Sequence, residues 1–307
     1  MTLSVVAIGG HALAGGSDAS AQCDSERIES VAAAIAKHLA GDALLVTHGN
    51  GPQAGWLAAQ ADTAVGPRVG LDAVTAQTEG LTGYQLELAL ENVLPGREIT
   101  TLLTQVEVDP ADPELGRPSK PIGRTYDHDG ADCLRARGLS VGAVPNGFRR
   151  IVPSPMPVRV REERAIGRLL GKDGIVVCGG GGGIAIVRGA DGQLHGVDAI
   201  IDKDHTSALL ACRLNASRLF LLTDVPGVHP DWPETRTVLR SADPAELALK
   251  PFSEGSMGPK VAAAVRYATE AGGPAWIGRI EDLEGMIRGT AGTRIEIGAK
   301  WEEGVWG

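Results

Sequence analysis

Ile175-Val176-Val177-Cys178-Gly179-Gly180-Gly181-Gly182-Gly183 decides how the chain is read: a short β-rich run that opens into five consecutive glycines. Glycine inside a regular element costs roughly 0.5–1 kcal/mol relative to alanine, so such a run needs a reason. The reason expected here is close approach of backbone to a ligand, with bare N–H groups turned toward negative oxygens. Two other stretches follow the same plan. Val5-Val6-Ala7-Ile8 runs into Gly9-Gly10-His11, and Leu44-Leu45-Val46-Thr47 runs into His48-Gly49-Asn50-Gly51-Pro52-Gln53. Each is an apolar strand whose carboxyl end opens into a glycine-rich turn, and ligands of open α/β sheets bind at that edge.

Outward from these strands, apolar segments alternate with helical periodicity, the pattern of a mainly parallel sheet covered on both faces. Ile28, Val31, Ala32, Ile35 and Leu39 recur at helical spacing before Gly41. Helices are also expected over 75–93, 160–171, 204–214 and from Pro259 to Ala271, where proline suits a first turn. Strands are expected over 99–106, 218–223, 275–277 and 293–297, and Asp191-Gly192 marks a hairpin between 184–187 and 194–201. The weak, charged stretch 121–146 reads as a loop-rich excursion, and 224–257 reads as irregular. Residues 1–172, with a lid at about 108–150, and residues 173–307 form the two expected lobes.

Composition narrows the class. The 307 residues are 43% hydrophobic but only 4% aromatic, so Val, Leu, Ile and Ala must fill the core. A net charge of −9 argues against general binding of nucleic acid or an anionic membrane surface. No apolar run approaches the ~18 residues that span a bilayer, and nothing at Met1 resembles a signal peptide. Cys23, Cys133, Cys178 and Cys212 lack metal or disulfide spacing, and small buried thiols in a cytoplasmic protein are expected.

Three lysines are the sharpest chemical candidates. Lys120 lies in Ser119-Lys120-Pro121-Ile122-Gly123, Lys203 in Ile201-Asp202-Lys203-Asp204, and Lys260 just after Met257-Gly258-Pro259. A lysine at a helix start gains nothing from the dipole, unless an anion docks there too. Phosphoryl transfer asks for positioning and charge neutralisation, which lysines around a glycine cradle supply. Asp202 and Asp204 either orient Lys203, hold a metal through water, or cap the helix. Asn50 either aims its amide at substrate or tolerates a left-handed turn. His11 and His48 suit hydrogen bonding better than zinc, for which no further ligands are spaced. Thr223-Asp224-Val225-Pro226-Gly227-Val228 suits a nucleotide edge or a plain proline–glycine turn. A Walker loop, a protein-kinase signature, a dinucleotide fingerprint and a G-x-S-x-G elbow are absent.

In order along the chain, Ala7–Gly10, Thr47–Gln53, Leu103–Val106, Lys120–Gly123, Val152–Pro155, the glycine run, Ala199–Asp204, Leu222–Val225 and Gly255–Lys260 resemble carbamate kinases, from about residue 4 to 296. The resemblance implies a three-layer α/β/α amino-acid-kinase fold with a small protruding lid and a homodimer. It implies that carbamoyl phosphate and ADP, with Mg²⁺, give ATP and carbamate. By the same resemblance Lys120, Lys203 and Lys260 are catalytic, and Gly9, Gly10, His11, Gly49, Asn50, Gly51, Gly180, Gly181 and Gly182 bind the substrate. Asp204, Thr223, Asp224, Val225, Gly227, Val228, Met257 and Gly258 border the nucleotide, and no metal ligand is assigned to the protein.

The chain departs from the family's pattern at His11, at Pro145–Arg149, at Pro226 and His229, and at Asp198. A kinase acting on another small carboxylate and an inactive nucleotide-binding regulator are the alternative readings.

Overall fold

The computed structural model describes residues 2–13, 24–63, 69–230, 237–252 and 257–304. Among them, nine strands form a central sheet. Their order is Glu302–Gly304, Val238–Ala242, Thr293–Ile295, Ala275–Arg279, Arg218–Thr223, Leu3–Ile8, Ala43–His48, Ile175–Val177 and Ile99–Thr101. The run from Ala275–Arg279 to Ile99–Thr101 is parallel throughout. Thr293–Ile295 pairs antiparallel with Ala275–Arg279, and Glu302–Gly304 antiparallel with Val238–Ala242.

Helices on both faces explain why the inner strands read as unbroken apolar runs. Successive side chains point to opposite faces, so each strand feeds two cores. Val5, Leu45, Val176 and Leu221 pack on one side, with Ala208 and Leu209 of helix Lys203–Arg213 and Val261 and Ala264 of helix Met257–Ala271. Val6, Leu44, Val177 and Leu222 pack on the other, with Ile28 and Ile35 of helix Ser25–Leu39 and Leu86 and Leu90 of helix Leu71–Val93. This is the three-layer α/β/α arrangement expected from the sequence.

Several expectations need correction. The stretch 121–146 is regular structure: strands Lys120–Tyr126, Gly147–Val152 and Val141–Val144 form their own sheet, with helix His128–Ala136 capped by Asp127. Only Ala131 and Leu134 of that short helix are buried, so its apolar periodicity is too sparse to stand out.

The expected strand 99–106 is two strands in different sheets. Ile99–Thr101 edges the central sheet, whereas Gln105–Val108 joins a four-stranded sheet with Pro157–Val160, Ile184–Arg188 and Leu194–Gly196. The break falls where the Thr104 N–H leaves the ladder for the Glu79 carboxyl. Helix Gly51–Thr63 was hidden by its Asn50-Gly51-Pro52 start. Strand Val238–Ala242 and helix Pro244–Leu247 replace part of the irregular stretch, and the hairpin at Asp191-Gly192 forms with a shorter second strand.

Of the thiols, Cys178 is buried but Cys133 is exposed, because it lies on the outer surface of its short helix; Cys23 is outside the described residues. Trp301 packs partly against the core, whereas Trp306 lies outside the described residues.

Candidate functional site

Parallel neighbours Arg218–Thr223, Leu3–Ile8, Ala43–His48 and Ile175–Val177 bring their carboxyl ends side by side. The glycine-rich turns therefore meet. A Cβ on Gly9 would lie 2.9 Å from the Leu222 oxygen, and one on Gly49 would lie 2.5 Å from the Gly10 nitrogen. Asn50 is buried; its Nδ2 donates to Thr78 Oγ1 at 2.7 Å, and a Gly181 Cβ would lie 2.1 Å from that same Nδ2. Gly51 opens its helix at the surface. His11 falls in the short helix Gly10–Leu13, with its side chain outside the described residues.

The run itself is buried, and φ is positive at Gly179 (63°), Gly181 (64°), Gly182 (92°) and Gly183 (86°), a region that side chains other than glycine's rarely adopt. The expectation of bare N–H groups fails for four of the five. Gly179 N–H donates to Thr104 Oγ1, Gly180 N–H to Glu79 Oε1, Gly182 N–H to Gly179 O and Gly183 N–H to Gly180 O. A buried amide must be paired, and here the protein pairs them. Backbone geometry, more than open donors, explains the glycines.

The lysines converge. Asp202 caps helix Lys203–Arg213, its Oδ1 accepting from Asp204 N at 2.9 Å, and its Oδ2 accepts from Lys120 Nζ at 2.5 Å. Asp204 accepts from two lysines, Lys203 through Oδ1 and Lys260 through Oδ2, the latter at 2.9 Å. The capping and lysine-orienting readings of this pair both hold.

Burial opposes the charge on Asp202 and Asp204, yet the lysines outweigh it and hold both carboxyls below the usual carboxylate range. Burial pulls the Lys203 ammonium down despite Asp204, while for Lys260 the attraction of Asp204, Asp202 and Asp224 overcomes burial and raises it. Lys120 enters from the first strand of the small outer sheet, Lys203 from a helix start and Lys260 from the first turn of another helix. His205, which follows Asp204, has its Nδ1 buried without a hydrogen-bond partner.

A second cluster was missed. Glu79, fully buried on helix Leu71–Val93, accepts from Thr104 N at 3.1 Å and Gly180 N at 2.9 Å. Burial raises its carboxyl to about 8. His48 is equally buried, which lowers its imidazole to about 4; its Nδ1 lies 3.4 Å from the Gly49 oxygen, and its Nε2 has no hydrogen-bond partner. The available signal was spacing: Glu79 falls on the same helical stripe as Val74, Thr75, Thr82 and Leu86, where a carboxylate is out of place.

The expected nucleotide edge divides. Thr223 and Asp224 line a cleft of about 530 Å³ with Ala12, Arg27, Arg279 and Asp282. Val225 is partly exposed, but Gly227 and Val228 turn inward, and Val228 N–H donates to Thr293 Oγ1 at 2.8 Å. Met257 and Gly258 start the helix that carries Lys260. Among the described residues no group of His, Cys, Asp and Glu suits a metal ion, and no helix is long and apolar enough to cross a membrane.

The fold and this lysine-lined sheet edge are those of a small-molecule kinase. The model of the amino acid kinase family matches residues 2–279. A carbamate kinase of Rhizobium meliloti is 42% identical, covering 95% of this chain and 92% of the relative. One from Haemophilus influenzae is 40% identical, covering 98% of each. The structure of a carbamate kinase from Giardia lamblia bound to AMP-PNP superposes with a TM-score of 0.84 at 32% identity, covering 96% of this chain and 98% of that one. The chain belongs to the amino acid kinase family and, within it, groups with the carbamate kinases.

Proposed function

We propose that the protein transfers a phosphoryl group reversibly between carbamoyl phosphate and ADP, giving ATP and carbamate, which decays to ammonia and CO₂. The observation that carries this reading is the convergence of Lys120, Lys203 and Lys260 on Asp202 and Asp204 beside the meeting glycine turns. Within the ion-paired cluster three ammonium groups face two carboxylates, an excess of one positive charge. That excess is the requirement of a site for a transferring phosphoryl group, whose charge spreads over its equatorial oxygens.

In this reading Asp204 holds Lys203 and Lys260 in place until phosphate oxygens compete for them. Lys120, carried on the outer sheet at the lid, reaches the transferred group from the other side. Residues 1–172 supply the acceptor lobe with Gly9, Gly10, Gly49 and Asn50, and residues 173–307 the nucleotide lobe with Thr223, Asp224, Met257 and Gly258.

Magnesium fits this arrangement as part of the nucleotide substrate. Both aspartates of the cluster are already engaged by lysines, so MgADP would bring its ion on its own phosphates. A cytoplasmic location and a homodimer complete the proposal. Exposed Tyr84, Leu88 and Leu103, near the edge strand Ile99–Thr101, support a self-association surface.

The test is luminescent ATP formation by purified protein from carbamoyl phosphate and MgADP, against the spontaneous breakdown of carbamoyl phosphate, with acetyl phosphate run in parallel. Protein-dependent ATP from carbamoyl phosphate is expected. ATP from acetyl phosphate alone, or none from a folded protein that binds ADP, would overturn the reading.

A further inference from the structure

Glu79 has no place in the chemistry above, yet it is buried and bonded directly to the glycine run. It is fully inaccessible, and its two oxygens accept from backbone amides on two different segments, Thr104 and Gly180. The contact is also steric. A Cβ on Gly180 would lie 2.9 Å from Glu79 Cγ and 2.5 Å from His48 Nε2, so both side chains press on the same α-carbon. Thr104 extends the connection, since its Oγ1 accepts from Gly179 N–H at 2.9 Å. Consecutive residues of the run thus hang from Glu79 directly and through Thr104.

We propose that Glu79 is a positioning residue that fixes the glycine run and does so as an uncharged acid, so that its ionisation weakens the binding of anionic substrate at this edge of the sheet. The physical reason is that a carboxylate buried behind the run would place a negative charge in low dielectric, close to the oxyanion that the lysines attract.

The surroundings favour the uncharged form. Burial dominates and raises the carboxyl to about 8, while the Thr104 and Gly180 amides pull the other way without offsetting it. The titratable groups that face it add no positive charge. His48 from the second strand is held neutral near neutral pH, and Cys178 at the head of the run has its thiol pushed far up by burial. Glu162, whose Oε2 accepts from Gln105 N, adds like-charge repulsion. Lys203, whose charge acts on His48, is already paired to Asp204.

Two readouts on the full-length protein test this, only the second of which rests on the carbamate kinase reading. First, ¹³C NMR of protein labelled in its glutamate carboxyls should show one resonance that titrates near pH 8 and is missing in Glu79→Gln. All glutamates titrating in the ordinary acidic range would overturn the proposal, whether or not the protein makes ATP.

Second, kcat/KM for carbamoyl phosphate in the wild type should fall above that midpoint by about tenfold per pH unit, with KM carrying the loss. Glu79→Gln removes the titrating proton, although its single Oε1 can accept only one of the two backbone amides; whatever its activity at pH 7, it should lose this alkaline limb. Persistence of the limb in Glu79→Gln would assign it to Lys203 or another group and overturn the proposal. Should Glu79→Gln not fold, the wild-type carboxyl resonance still decides, because it needs no variant fold: its position at pH 7 is that of an acid or of a carboxylate.

Discussion

Lys203 and Asp204 are buried as ions with Lys260 half-buried beside them, whereas Glu79 and His48, at the same edge of the same sheet, are buried as neutral groups. Both clusters are short of water. What separates them is company: Asp204 finds two ammonium groups, while Glu79 finds two backbone amides and the like charge of Glu162. Burying a charge is tolerable where opposite charge shares the space and costly where only dipoles do. The comparison teaches a division of labour. In the proposed reading one cluster supplies positive charge for a phosphoryl group, and the other shapes backbone without contributing a field of its own.

The most forceful way to break the charged half is to remove a lysine. Lys203→Ala and Lys260→Ala should each lower kcat for ATP formation by about 10²–10³-fold, the loss typical of one well-aimed donor at developing charge. Circular dichroism should show the fold intact; near-normal turnover in either variant would detach that lysine from the reaction.

Gly181→Ala attacks the neutral half instead. It forces a Cβ onto a left-handed residue and into the Asn50 amide, and should destabilise the protein by roughly 1–3 kcal/mol, read as a lower midpoint in urea. An unchanged midpoint would mean that the run is not held as described.

The halves should also respond to pH with opposite signs. Asp202 and Asp204 have depressed folded values, so their stabilisation is complete above the ordinary carboxylate range and is lost as pH falls below it toward those folded values. Glu79 has a raised value, so its contribution is complete in acid and declines from the ordinary glutamate range up to about 8. At pH 7 that decline amounts to roughly 3 kcal/mol, and in Glu79→Gln, whose Oε1 accepts only one of the two amides, thermal unfolding should lose this decline with pH while the acid limb stays unchanged. Equal Tm shifts for Glu79→Gln at pH 5 and pH 8 would contradict the sign. The smallest effect should be that of Asp127→Ala, which removes the N-cap of the outer helix for about 1 kcal/mol and leaves turnover unaltered.

The charged half was the more legible in sequence. Asp202-Lys203-Asp204 and Pro259-Lys260 announce themselves because charge at a helix start is chemically conspicuous, and the parallel sheet followed from apolar runs that end in glycine. The neutral half was not legible in the same way. The glycines were visible, but their amides were assigned to a ligand when Glu79 and Thr104 take two of them. Glu79 lies about 100 positions before the run in the chain, and only the packing of helix Leu71–Val93 brings the two together. Likewise the outer sheet of 120–152 pairs strands too polar and glycine-interrupted to show a period, and Gly227 and Val228 looked like a ligand edge although they face the core.

The most direct measurement is ³¹P NMR of carbamoyl phosphate and MgADP mixed with wild-type protein and, side by side, with Lys203→Ala. The wild type should convert the carbamoyl phosphate signal into the γ-phosphate of ATP, and the variant should do so at least about 100-fold more slowly. A variant within about tenfold of the wild type, or a wild type that releases only inorganic phosphate, would contradict the claim that this lysine-lined edge carries the transfer.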